Sequence, residues 1–134
     1  MRIAKNVVSG EIAKKLKIAK WVRRTEFIYV EGYEKVKVIK LMLITELVEY
    51  VKTTAEWWSA PIISELLEEL PANIATSYLT IKKNDEENYV ALYVNEDGSI
   101  KNSPEFVSAN LADALALLWI YVQEYWFKLY GDAK

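Results

Sequence analysis

Residues 110–130 constrain this chain most, because they predict one long helix with apolar side chains on two sides. At about 100° per residue, one face collects a continuous apolar set: Leu111, Ala114, Leu115, Leu118, Val122, Tyr125, Trp126 and Leu129. The opposite face carries a second set, here named the back strip: Ala116, Leu117, Ile120 and Phe127. A helix that is apolar on two sides is either sandwiched inside the protein or in contact with a partner. The back strip is therefore our candidate protein interface.

The composition indicates a folded chain that lacks the usual catalytic side chains. Its 134 residues, 52% of them hydrophobic, suit a single α+β domain over 1–134. Histidine and cysteine are both absent, which excludes disulfides, thiol catalysis, Cys-based zinc sites and the usual nucleophile–histidine pairs. We expect no enzyme activity, no metal and no cofactor.

Compartment follows from the same composition. A chain without cysteine fits an intracellular protein, and residues 1–9 lack the long apolar core of a signal peptide. Charged residues interrupt the last helix well short of the ~20 apolar residues that a membrane span needs. We therefore expect a cytoplasmic protein, in the host cell if a phage encodes it, with no membrane partner.

Charge is distributed unevenly along the chain. Residues 1–24 contain eight basic residues and one acidic residue, whereas residues 25–134 contain nine basic and eighteen acidic residues. This asymmetry suits a charged partner, such as nucleic acid. It suits equally well a basic helix that lies on the acidic body of its own protein. The candidate contacts to nucleic acid or to an acidic partner are Lys14, Lys17, Lys20, Arg23 and Arg24.

The basic segment also has a motif-like pattern. Residues 11–24, EIAKKLKIAKWVRR, resemble the centre of a helix-turn-helix, a DNA-reading element. Lys17 occupies the place of the usual turn glycine, and only nine residues precede the helix instead of a supporting helix. The alternative is an amphipathic basic helix without base contacts.

Caps and turns predict the remaining elements. Ser9 caps a helix over 9–23, a second helix begins with the Ser-Ala-Pro run at 59–61 and ends near 70, and Ser108 or Asn110 caps the last helix. Two hairpins are predicted, one from 25–31 and 34–44, the other from 76–83 and 88–95 around a turn at 84–87.

Alternation in the second hairpin predicts which side chains share a face. One face would carry Leu79, Ile81, Val90, Leu92 and Val94, and the other Tyr78, Tyr89 and Tyr93. Three tyrosines would stand in water if helices covered only one face. We therefore predict an α+β fold in which an antiparallel sheet of hairpins has helices packed on both faces, as α–β–α layers, with a long C-terminal helix.

Three blocks in this order resemble a loose group of small uncharacterised proteins of phages and prophages. They are EIAKKLK at 11–17 with Trp21 and TEFIYV at 25–30, SAP at 59–61 with ELLEELP at 65–71, and NLADALA at 110–116 with WIYV at 119–122. The resemblance covers about half of the chain. It implies an intracellular, phage-encoded accessory protein with an α–β–α domain, and it brings no activity or catalytic residues.

These observations lead to hypotheses from three classes. The first is a non-enzymatic protein that binds a protein partner, for example as an inhibitor of a host or defence factor. The alternative is a regulator that binds nucleic acid through the basic helix. An enzyme would need carboxylates that converge in a pocket, whereas Glu65, Glu68 and Glu69 follow one helix face in a pattern typical of a solvated surface.

Two ways of covering the back strip remain open. In a homodimer, two-fold pairing of equivalent helices would make the strip its own complement. Alternatively, the segment 42–51 folds over the strip within one chain.

Overall fold

Three helices and seven short strands make up the part of the chain that the computed structural model describes, residues 6–23, 25–31, 39–43, 57–74, 76–99 and 101–126. In chain order they are α1 (Gly10–Ile18), β1 (Phe27–Glu31), β2 (Ile39–Leu43), β3 (Trp57–Ala60), α2 (Ile63–Glu69), β4 (Asn73–Ile74), β5 (Ser77–Lys83), β6 (Tyr89–Asn95), β7 (Phe106–Ser108) and α3 (Leu111–Tyr121). A π-helical turn, Val122–Trp126, continues α3.

The strands form two antiparallel sheets, ordered β2-β1-β3 and β4-β5-β6-β7. Both predicted hairpins are present: Phe27 pairs with Leu43 in the first, and Ser77 pairs with Asn95 in the second. The mixed α+β class with antiparallel hairpins is thus confirmed. Among the described residues, no helix has the length and apolar character needed to cross a bilayer.

The pairing of β5 with β6 differs by one residue from the prediction. The predicted four-residue turn would have set Ile81 opposite Val90, but the strands are joined by a three-residue loop, 85–87, closed by hydrogen bonds between Asn84 and Asn88. Glu87 takes the left-handed conformation that ends this kind of loop, with φ 61°. Because side chains alternate along a strand, a shift of one residue in the pairing changes which side chains of β5 share a face with those of β6.

The corrected register places Leu79 opposite Tyr93 and Ile81 opposite Ala91. Ala91 and Tyr93 belong to the main core. Tyr93 is fully buried, its hydroxyl donates to the carbonyl of Pro71 (2.7 Å), and burial raises the pKa of this hydroxyl. On the opposite face Leu92 is also fully buried. The strand β6 is therefore buried on both sides.

One core joins the helices to both sheets. Helix α3 packs against α1, α2, β6 and β7, and α1 also packs against β3. The largest side chains at the centre are Leu16, Trp21, Trp58, Leu66, Tyr93, Leu115, Leu118 and Trp119. The rings of Trp21 and Trp119 meet edge-on with centroids 4.9 Å apart, the geometry that aromatic quadrupoles favour.

Helix α1 starts as predicted but ends five residues early. The Ser9 hydroxyl accepts the N–H of Ile12 (3.3 Å), which confirms the N-cap. At the other end the N–H of Lys20 donates to Lys17 and that of Trp21 to Leu16, both at 3.0 Å. This reversal is a Schellman motif, with Lys20 left-handed at φ 68°. It turns Trp21 into the core.

The helix-turn-helix interpretation is wrong. The residues described between α1 and β1 form no second helix, and the chain enters strand β1 at Phe27. The start of α2 also differs from the prediction, since Ser59 pairs with Ile28 in the first sheet instead of capping a helix. The N-cap is Ile62, whose N–H donates to the Glu65 carboxylate (2.9 Å).

Helix α3 is capped by Asn110, whose side-chain oxygen accepts the N–H of Ala112 (2.9 Å). The side-chain positions predicted for a regular helix apply to α3 only as far as Val122, because the π-helical turn that follows has a different number of residues per turn. Tyr125, predicted on the core face, is consequently 55% exposed. The predicted continuation over 127–130 lies outside the described residues.

The segment 7–9, ahead of α1, is held by polar contacts on several sides. The N–H of Val8 donates to the carbonyl of Pro61 (3.2 Å), and the hydroxyl of Tyr29 donates to the carbonyl of Val8 (2.8 Å). The N–H of Ser9 donates to the Asp113 carboxylate (2.7 Å). Burial raises the pKa of Asp113, against the effect of this hydrogen bond.

We expect Lys20→Gly and Glu87→Gly each to raise the free energy of unfolding by about 0.5–1 kcal/mol. Both residues are left-handed, a conformation that strains a residue with a β-carbon and that glycine adopts freely. Urea denaturation of each variant measures the effect. Lys20→Ala and Glu87→Ala serve as controls, because they shorten the side chain and keep the β-carbon. Glycine variants no more stable than the alanine variants would contradict the assignment.

Substitution of Asp113 should give a pH-dependent change in stability. Because its pKa is raised in the folded state, the folded protein holds this proton more tightly than the unfolded chain, and wild type gains stability as pH falls through the raised pKa. Asp113→Asn carries no charge, so its free energy of unfolding relative to wild type should decrease from about pH 7 to about pH 4. Urea denaturation across this range measures it.

The control is Asp113→Ala, which removes the acceptor of the Ser9 N–H. It should be less stable than Asp113→Asn at each pH, by about 1–3 kcal/mol. A difference between wild type and Asp113→Asn that stays constant with pH would show that Asp113 titrates alike in the folded and unfolded chain.

Candidate functional site

Two of the predicted basic contacts lie on the protein's own tryptophan. The ammonium group of Lys14 is 4.9 Å from the ring centroid of Trp58, and that of Lys17 is 5.9 Å from it. Trp58 belongs to β3 and is 6% exposed. Lys17, Trp21, Trp58 and Ser59 line a cavity of about 230 Å³ beside this contact. Cation–π attraction therefore holds part of the basic face against the first sheet.

Arg23 is paired with acidic residues of α2. Its guanidinium forms ion pairs with Glu68 and, at 3.3 Å, with Glu69, and it donates to the backbone carbonyl of Glu65 (3.1 Å). The hydrogen bond that Arg23 donates to the Glu68 carboxylate raises the pKa of Arg23. Arg23 therefore contacts acidic residues of its own chain, as the second explanation of the charge asymmetry predicts. Of the other candidates, Lys20 is exposed and Arg24 lies outside the described residues.

The three carboxylates considered for catalysis have structural contacts. Besides the Ile62 N–H, Glu65 accepts the N–H of Glu26 (2.9 Å) and so joins the start of α2 to the start of β1. Glu68 and Glu69 hold Arg23. Within the described ranges, no group of three or more acidic residues is arranged to hold a metal ion.

The back strip is divided by the fold. Ala116 is fully buried within the core, so its inclusion in a surface interface was wrong. The reason is that α3 is enclosed by α1, α2, β6 and β7, and a small side chain lets such neighbours approach. Leu117 and Ile120 are half-buried at the core's edge. Phe127 and most of the segment 42–51 lie outside the described residues, so the rival covering stays untested.

Leu117 and Ile120 form part of a groove between α1, β7 and the end of α3. This α1–α3 groove has a volume of about 300 Å³, at the lower end of the range for binding pockets. Its lining is mainly apolar and aromatic: Lys15, Ile18, Phe106, Leu117, Ile120, Tyr121, Glu124 and Tyr125. Half of the back strip is thus part of a candidate site, together with residues that the sequence did not single out.

A row of aromatic rings forms one wall of the groove. The ring centroids of Phe106 and Tyr121 are 5.8 Å apart, and those of Tyr121 and Tyr125 are 5.3 Å apart. Ile18 contributes from α1 and is 79% exposed. An isoleucine this exposed is costly in water, because burial would remove its apolar surface from solvent.

The described lining of the groove also carries one charge of each sign. Lys15 lines it from α1 and Glu124 from the turn after α3. In the described part of the chain neither residue forms an ion pair. The groove is consequently an apolar surface bordered by a cation and an anion.

Sequence reasoning could have found one of the missed residues. Ile18 lies off the apolar stripe of α1, which is formed by Ile12, Leu16 and Ala19, and an apolar residue among lysines is a local signal of a contact. Phe106 offers no such signal, because it reaches the groove only through the pairing of β7 with β6.

The position of Ala116 can be tested through core packing. Ala116→Leu inserts extra carbon atoms into a filled core and should lower the free energy of unfolding by about 1–3 kcal/mol. Ser64→Leu, at an exposed position of α2, is the matched control and should change it by no more than about 0.5 kcal/mol. Urea denaturation measures both. An Ala116→Leu variant as stable as wild type would contradict the burial of Ala116 and support its place on the surface.

Comparisons with known proteins identify no relative. No protein-family model matches this chain, and no curated protein or solved structure matches it. The resemblance to small phage and prophage proteins therefore stays a prediction.

Proposed function

We propose that this chain is a non-enzymatic accessory protein of the phage or mobile-element type, which acts by binding another protein through the α1–α3 groove. The observation that carries the proposal is an apolar groove with large side chains left in water at its border, Ile18 at 79% and Tyr125 at 55% exposure. Aromatic and large apolar side chains are enriched at the centres of protein interfaces, which supports a protein-binding role for this groove.

The energetics of the groove suit docking. Fully burying a side chain such as isoleucine is worth about 1.5–3 kcal/mol relative to exposure, and tyrosine is among the residues enriched at the energetic centres of interfaces. Leu117, Ile120 and Phe106 are already packed against the core, so they form a floor that needs little ordering when a partner binds.

The engagement of the carboxylates supports the non-enzymatic part of the proposal. Glu65 accepts two backbone N–H groups, while Glu68 and Glu69 pair with Arg23. A general acid or base has to reach a substrate proton, and these three groups are oriented by contacts within the chain. Among the described residues, the groove is lined by a single carboxylate, Glu124.

The nucleic-acid alternative relies on cations that the chain already uses. Arg23 is neutralised by acidic residues of α2, and Lys14 lies over Trp58. Phosphate contacts would have to compete with these interactions. This weighs toward protein binding, and the salt dependence of DNA binding provides the discriminating measurement.

We also infer that helices cover both faces of the four-stranded sheet, as the layered prediction requires. Helix α3 packs against β6 on one face, where Ala91 and Tyr93 enter the core. On the other face Val90 and Leu92 are 2% and 0% exposed, which supports a second covering layer there.

Affinity capture from an extract of the host tests the proposed function. The double variant Ile18→Gln, Tyr125→Ser alters two exposed side chains of the groove, so the fold should be retained. We expect this variant to capture at least about tenfold less of the partner protein than wild type does. The matched control is Ile81→Gln, Tyr78→Ser, which changes two exposed residues of β5 outside the groove and should capture as wild type does.

Three results would count against the proposal. The first is a captured protein that the groove variant retains as well as wild type, and the second is turnover of a metabolite panel by the pure protein. The third is binding of labelled duplex DNA that weakens with salt by about 0.9 log units per neutralised phosphate and disappears in Lys14→Glu, Lys20→Glu. That last result would favour the nucleic-acid alternative.

A further inference from the structure

We propose that a second copy of this chain covers the α1–α3 groove, so that two copies pair around a two-fold axis. The inference rests on the proposed function, because it uses the same surface, and it names the occupant of the groove when the protein is alone. From the sequence, the back strip predicted pairing through α3 alone. The interface proposed here also includes α1 and two charged residues, Lys15 and Glu124.

Charge complementarity favours a second copy. A two-fold axis brings each contact in pairs: if Lys15 of one copy approaches Glu124 of the other, the reverse contact forms as well. A surface with charges of one sign would repel its own copy. The groove has one cation on its α1 side and one anion on its α3 side, neither of them ion-paired in the described part of the chain. It is therefore self-complementary in charge.

Apolar exposure on both sides of the groove points the same way. Ile18 projects from α1 at 79% exposure, and Tyr125 lies after α3 at 55% exposure. Two-fold pairing covers both residues in each copy, whereas a ligand seated deep in the groove would leave their outer surfaces in water. Ile18 of one copy can approach the aromatic wall of the other, formed by Phe106, Tyr121 and Tyr125.

The required area is compatible with one face of the molecule. A standard interface covers about 800 Å² on each partner, which is roughly a tenth of the 8743 Å² surface of this chain. The described residues that line the groove come from α1, β7 and the end of α3, so a contact of this size has to extend over the outer surfaces of these three elements.

Charge reversal tests the proposal with the protein itself as the probe. Lys15→Glu sets two acidic groups against each other at both equivalent contacts of the dimer, and Glu124→Lys sets two basic groups against each other. Each single variant should raise the dimer dissociation constant by about tenfold or more. The double variant Lys15→Glu, Glu124→Lys restores opposite charges and should return the constant to within about threefold of wild type.

Sedimentation equilibrium over a range of concentrations measures these constants. Mixing the two single variants should also restore a dimer, because each supplies the charge that the other lacks. Glu86→Lys, in the exposed hairpin loop, makes the same charge change as Glu124→Lys and should leave the constant unchanged. Circular dichroism of each variant confirms that the fold is retained.

A wild-type protein that stays monomeric at all concentrations would overturn the proposal, and so would a dimer that neither single reversal weakens. Failure of the double variant and of the mixture to restore pairing would show that the interface lies elsewhere. These outcomes are distinct from those of the capture experiment. If the protein is a monomer but still captures a partner through Ile18 and Tyr125, the dimer proposal fails and the proposed function stands. If charge reversal weakens the dimer and the double variant restores it, while capture of a partner does not depend on Ile18 and Tyr125, the dimer proposal stands and the proposed function fails.

Discussion

The structure depends on the way in which the segment 7–9 is tied between distant parts of the chain. Asn110 donates to the carbonyl of Val7 (2.9 Å), and the Asp113 carboxylate accepts the N–H of Ser9, so residues more than a hundred positions apart meet. Tyr29 binds the same segment from β1. Because Ser9 caps α1 while Asn110 caps α3, these hydrogen bonds set the two helix starts against each other, and the walls of the groove follow from that placement.

The end of α1 acts together with this constraint. The left-handed residue Lys20 reverses the chain, so that Trp21 packs edge-on against Trp119 of α3. Two residues later Arg23 reaches the acidic residues of α2. The charge asymmetry of the sequence, which suited either a charged partner or the acidic body of the same chain, is thereby partly neutralised within one chain. Beside α3, helix α1 leaves Ile18 exposed among its lysines, and this residue lines the groove.

The properties of α3 explain why this surface is both apolar and available. Alanine at 112, 114 and 116 is fully buried and allows α3 to be enclosed closely, while larger residues such as Leu117 and Ile120 lie at the edge of that enclosure. The π-helical turn then moves Tyr125 out of the core direction and toward the groove. The proposed binding surface thus lies where the close packing of α3 ends.

Local sequence signals determined the α+β class, both hairpins, the cap at Ser9 and the excess apolar surface of α3, and they narrowed the cap of α3 to Ser108 or Asn110. Each depends on the period of side chains or on a hydrogen bond within a few residues. Only the tertiary structure decided the register of β5 with β6, the end of α1, the burial of Ala116 and the existence of the groove. These depend on one loop residue, Glu87, and on contacts between residues about a hundred positions apart. A local pattern shows which side chains share a face, whereas the rest of the chain decides which faces are covered.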